Sequence, residues 1–275
     1  MKSIGIIVKL TLREAIRRKV VWGLLILSLV FLVLYGLGLA FIHANSRLPR
    51  TGVITVRDVY SFLMMAGLYA ANFLIVMLAV LISVDTLAGE IGSGTIQSIA
   101  VKPLRRRDIL LGKWIGFVIL LAACTLLLMG GVMLITVIIT GYVAPNWWNG
   151  LGLMLLEALV LLSVSLLGGT RLSTLANGVL GFGLFGVALV GNWIGQVGEF
   201  VNIGAAATIG RLASFIMPGQ AVWQVALWQM AEGYNPFKMM FTLSSSPDTN
   251  MVLYAIGFAV AVLLLAMRSF QRRDL

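Results

Sequence analysis

The stretch Trp114-IGFVILLAACTLLLMGGVMLITVI-Ile139 contains no charged residue. Crossing the hydrocarbon core of a bilayer takes about 20 predominantly apolar helical residues, and this segment is longer than that. Five others are as continuously apolar, at 21–42, 59–84, 151–168, 175–197 and 251–267, with Glu157 the one charged residue among them. The whole chain agrees: of 275 residues 60% are hydrophobic and 11% charged, with a mean hydropathy of +1.02. A soluble domain carries about 25% charged residues, so an ordinary soluble enzyme and a disordered chain are both excluded. A membrane barrel would read as alternating segments of about ten residues, and these runs are continuous. The sequence predicts a single all-α polytopic domain with six transmembrane helices.

A net charge of +10 would also suit a nucleic-acid partner. The positions of the cations argue for an orientation signal instead, and no nucleic acid is expected. Fifteen of the 20 Lys and Arg residues fall before span one, between spans two and three, between four and five, or after six. The other five are Arg47, Arg50, Arg57, Arg211 and Lys238. This bias predicts a multi-pass protein of the cytoplasmic membrane with both termini in the cytoplasm.

Residues 1–20 read as an amphipathic helix in the membrane interface. Ile4, Val8, Leu12 and Ile16 recur on one face, and Lys9, Arg13 and Arg17 on another. Residues 198–250 are too long for a simple turn. They hold two short apolar stretches, Ile203–Met217 and Ala221–Met230, broken at Pro218-Gly219. A broken helical hairpin dipping into the outer leaflet before the last span accounts for both. Irregular backbone at that depth must be covered by protein or line a water-filled cavity, so this segment is expected to face or cap a translocation route.

Catalytic patterns are nearly absent. His43 is the sole histidine, and Cys124 the sole cysteine, so neither an internal disulfide nor a CxxC metal site can form. No HExxH, GxSxG or phosphate-binding GxxxxGK[ST] pattern occurs. The nearest glycine cluster, Gly89-Glu-Ile-Gly-Ser-Gly94, lacks the lysine that reaches nucleotide phosphates. No cofactor or metal is expected in this chain, and any ATP-driven work must use nucleotide bound by another polypeptide.

The most informative loop joins spans two and three, Asp85-TLAGEIGSGTIQSIAVKPLRRRDILLGKWIG-Phe117. Leu87, Ile91 and Ile99 can share one face of a short helix that Pro103 stops. Joined directly to two spans, such an element suits force transmission from a soluble partner; a plain connecting loop is the other reading.

Here the chain resembles a family. The order of Asp85, Gly89, Glu90, Gly94, Thr95, Ile96, Ile99, Pro103, Leu104, Arg106, Leu111, Gly112, Lys113 and Gly116 is similar to that in permease subunits of type-two ABC transporters, including the nitrous-oxide-reductase maturation group. Gln97 departs from the pattern, where many relatives carry an acid. The resemblance implies a half-transporter without catalytic activity of its own. A second permease copy or relative would complete the channel. Two ABC ATPase subunits, holding ATP and magnesium, would dock on the loop at 85–113. Gly89, Glu90, Gly94, Thr95, Ile96, Ile99 and Pro103 would form the coupling helix and its stop, with Arg105, Arg106 and Arg107 flanking the contact. Gly89 and Gly94 would permit tight turns or close approach. Glu90 would serve an interface pair or a solvated surface.

Within the spans Glu157 stands out, about 10 Å from the outer end of span four at 1.5 Å per residue. An intramembrane carboxylate is costly and faces a cavity or a partner. Glu157 and Asn72 are the pathway candidates, with a polar lock between spans as the other reading. Gly112–Gly116 and Gly191–Gly195 offer GxxxG faces for helix packing. Two rival functions stay open: a membrane anchor or assembly factor with an ABC-like fold, and an ion-coupled carrier using Glu157.

Overall fold

A computed structural model describes residues 2–45, 55–92, 106–231 and 248–272. Among these it contains nine α-helices and no strand. They are α1 (Lys2–Arg17), α2 (Lys19–Asn45), α3 (Val56–Gly92), α4 (Arg106–Thr140), α5 (Trp147–Gly169), α6 (Thr174–Phe200), α7 (Gly204–Ile216), α8 (Gly219–Met230) and α9 (Asn250–Gln271). Helices α2 to α6 and α9 are long and apolar enough to cross a membrane. Each contains one of the predicted spans and overruns it at both ends.

The bundle is built around α5, which packs against α3, α4, α6, α8 and α9. Met154, Ala158, Val160, Leu161, Leu162 and Leu166 on α5 are fully enclosed. Helix α2 stands at the opposite extreme. Leu34, Leu37 and Phe41 are each more than 60% exposed, as suits a surface meant for acyl chains or a second membrane chain.

The turns follow their residues. Gly141 ends α4 at a φ of 70°, which glycine adopts without steric penalty. Helix α6 ends in a Schellman motif centred on Asn202 at φ 59°. There the Ile203 amide donates to the Gly198 carbonyl at 2.7 Å and the Asn202 amide to Glu199 at 3.3 Å.

This turn folds α7 back along α6 almost backbone to backbone. A Cβ on Gly195 would lie 2.6 Å from Gly210 Cα, and one on Gly198 would lie 2.5 Å from Ala206 Cβ. The second GxxxG face is thus a helix-packing surface, as its spacing predicts. The chain then breaks at Met217–Pro218, and α8 returns along α5. Gly219, at the start of α8, lies against Glu157, while Met230 at its end lies against Gly150. Helix α8 therefore runs from the middle of α5 back to the end where α5 begins, and with α7 it forms the broken hairpin.

The two halves of the hairpin differ in environment. Leu212, Phe215 and Ile216 of α7 are at least half exposed, whereas Val222, Trp223, Ala226 and Leu227 of α8 are fully buried. Met217 and Met230 are buried as well.

Helix α1 forms as expected, with one narrow face seated on α4. Its enclosed face is Ile7, Thr11 and Ala15, whereas Ile16 is 51% exposed. The reason lies on α4. A Cβ on Gly112 would sit 2.7 Å from Ile7 Cβ, and one on Gly116 would sit 2.9 Å from Thr11 Cβ. The glycines of α4 allow this close approach, and the face of α1 that meets them is the enclosed one. Gly116→Val is therefore expected to lift α1 off α4 at a cost of about 1–3 kcal/mol. The checks are a lowered Tm and faster proteolysis near Arg17, and an unchanged digestion pattern would refute the seat.

Candidate functional site

Glu157 is the eleventh residue of the 23-residue helix α5. It thus lies about 15 Å along the helix, deeper than a span beginning at residue 151 implied. Its side chain is 0% exposed. Gln220 Nε2 of α8 donates to its Oε1 at 3.1 Å, and Asn72 of α3 reaches the same carboxyl group.

One turn further along α8, Gln224 Nε2 donates to the Tyr69 hydroxyl of α3 at 3.2 Å. The Tyr69 ring meets Trp223 edge-on with centroids 5.0 Å apart. Three helices thus bring Tyr69, Asn72, Glu157, Gln220, Trp223 and Gln224 into one polar seam inside an apolar bundle.

The backbone explains how a carboxyl group is tolerated there. A Cβ on Gly219 would lie 3.2 Å from Glu157 Cγ, so the first turn of α8 is pressed against the acid. A helix N-terminus carries unsatisfied N–H groups and the positive end of the helix dipole, which favours a neighbouring anion. The break at Pro218 is what brings that terminus into the middle of the bundle.

The seam is only partly satisfied. Glu157 Oε2, Asn72 Oδ1, Gln220 Oε1 and Trp223 Nε1 are buried without a hydrogen-bond partner. An unpaired buried polar atom costs about 1–3 kcal/mol. A cluster of them equips the seam to take a polar or cationic group from outside the chain. Among the described residues no three His, Cys, Asp or Glu side chains come together to hold a metal ion.

Sequence reading found Glu157 and Asn72, which the fold joins. It missed Gln220, Gln224, Tyr69 and Trp223. The two glutamines, four residues apart in an apolar stretch, were the available signal, since that spacing puts both on one helix face.

The loop residues divide differently. Helix α3 runs on through Gly92, so Gly89 and Glu90 belong to its last turns and Gly89 makes no tight turn. Arg106 opens α4, and Arg107 is exposed beside it. Gly94, Thr95, Ile96, Ile99, Pro103 and Arg105 lie outside the described residues. The Gly112 and Gly116 positions of the motif seat α1, and Lys113 between them is 5% exposed.

The helical bundle and its apolar surfaces define a multi-pass integral membrane protein. The model of the ABC-2 family transporter proteins matches residues 6–275, and the chain belongs to that family. It is also 32% identical over 130 residues to a probable ABC transporter permease protein, NosY, of Stutzerimonas stutzeri. That match covers 46% of this chain and 43% of NosY, less than half of either protein.

Proposed function

We propose that this chain is the membrane-spanning subunit of an ATP-driven exporter in the cytoplasmic membrane. It pairs with a second permease copy to form the translocation pathway and takes its energy from two separate ATPase subunits. The observation that carries the reading is the continuity of α3. This one helix holds Tyr69 and Asn72 in the buried seam and ends in the Gly89–Glu90 segment of the family motif. The twenty residue steps from Asn72 to Gly92 cover about 30 Å as one rod. Helix α4 leads back from the far side of the loop and packs on both α3 and α5.

Closure of ATPases docked at 85–113 would shift α3 against α5 and α8. A ligand bound differently in the two arrangements is then driven across. Glu157 and the unpaired oxygens around it form the polar stage of that route. ATP and magnesium belong to the partner subunits, and both chain termini lie on the same side as they do.

Co-purification from mild detergent tests the docking role. The wild-type chain is expected to carry a stoichiometric ATPase, and Glu90→Arg to lose at least nine-tenths of it while eluting as a folded permease. Retention by both would remove Glu90 from the contact. No ATPase on the wild type would favour a carrier coupled through Glu157.

A further inference from the structure

We propose that the bundle end where α5 turns into α6 binds the headgroup of an anionic phospholipid. Two adjoining grooves open there on either side of the last turns of α9. One, of about 450 Å³, is lined by Leu167, Arg171, Leu172, Leu265, Arg268, Ser269 and Arg272 together with Gly168. The other, of about 480 Å³, shares Arg268 and Arg272 and adds Arg107 from the start of α4. Among the described residues neither lining includes an acidic side chain.

Four guanidinium groups from three separate places in the chain thus converge at one level of the bundle. Arg171 is held in place: its Nε donates to Ser269 Oγ at 3.1 Å, and Ser269 in turn shares a hydrogen bond with Thr170 Oγ1 at 2.8 Å. Among the described residues nothing else engages Arg171, which leaves its Nη donors for a ligand. Guanidinium forks suit phosphate oxygens, with which they form bidentate contacts.

The apolar surface decides that the phosphate belongs to a lipid rather than to a protein or a free anion. Leu264 and Leu265 lie one turn from Arg268 toward the middle of the span, are 56% and 54% exposed, and each lines one groove. A headgroup among the arginines would therefore lay its acyl chains along leucines already turned to the bilayer. Basic pockets between spans that open onto lipid are suited to acidic headgroups.

The test uses the full chain in detergent and measures retained lipid by native mass spectrometry. The probes are phosphatidylglycerol and phosphatidylcholine. The variant is Arg171→Gln/Arg268→Gln/Arg272→Gln, with Arg268→Gln alone as the milder change common to both grooves. Arg107 is left intact so that the arginine cluster assigned to ATPase docking is not disturbed. Wild type is expected to retain phosphatidylglycerol at least tenfold over phosphatidylcholine. The triple variant should lose that preference and the single variant part of it, with elution volume and Tm in phosphatidylcholine unchanged. Equal retention of both lipids, or an undiminished preference in the variants, overturns the proposal. So does displacement by millimolar inorganic phosphate, which would mark a free-anion site. Loss of a co-purified ATPase with lipid preference intact would assign the arginines to a protein contact instead.

Discussion

Glu157→Gln is expected to leave the protein folded while cutting ATP turnover of the assembled transporter at least tenfold. Glutamine is close to isosteric and keeps an acceptor for Gln220 Nε2, so the 3.1 Å contact survives. Stability should change by less than about 1 kcal/mol, because the amide keeps the shape of the carboxyl group and its acceptor for Gln220. What the amide cannot supply is a group that takes up and releases a proton at the N-terminus of α8. Glu157→Leu should do both kinds of damage: it leaves Gln220 Nε2 unpaired, costing about 1–3 kcal/mol, and it abolishes turnover. The pair of variants in nanodiscs, with Tm and ATP hydrolysis read side by side, separates a working carboxylate from a polar lock. Full turnover in Glu157→Gln would mean that the group only ties α5 to α8.

Gly195→Val should be the most disruptive substitution for the fold. The Cβ would stand 2.6 Å from Gly210 Cα, and the obstacle is backbone that has no rotamer to yield. Helices α6 and α7 must separate, and overpacking of this kind costs about 3 kcal/mol or more. The damage should spread, since α7 fixes the break at Pro218 from which α8 approaches Glu157. Even Gly195→Ala meets the same contact and should lower Tm measurably. On the same helix Gly183 and Gly186 have nothing within 4 Å of an added Cβ, so alanine there should be harmless. Yield of monodisperse protein and Tm across the four variants would test this, and equal tolerance of all four would refute the tight α6–α7 contact.

Much of the architecture was legible in the residues. Spans are written as unbroken apolar runs because backbone in lipid must satisfy its own hydrogen bonds, which leaves the helix as the local solution. The hairpin was legible too, because Pro218 and Gly219 interrupt two stretches each too short to cross. The spacing of Ile4, Val8, Leu12 and Ile16 made α1 legible as an amphipathic helix, but not which of its faces would meet α4. In lipid the largest apolar side chains are not driven inward, and Ile7 and Thr11 meet glycines that only the folded α4 presents.

The site divides along the same line. Glu157 and Asn72 could be singled out one at a time, since any polar group inside a span carries an evident cost. By itself the sequence determined that six apolar helices span a membrane, that a basic loop follows the second, and that one carboxylate lies within the bundle. Only the tertiary structure decided that α3 and α8 meet at that carboxylate, that α8 points its N-terminus at it, and that four arginines gather at the far end of α9. Span and charge patterns are properties of consecutive residues, whereas these sites are made by side chains more than 60 positions apart in the chain, brought together by the helix packing.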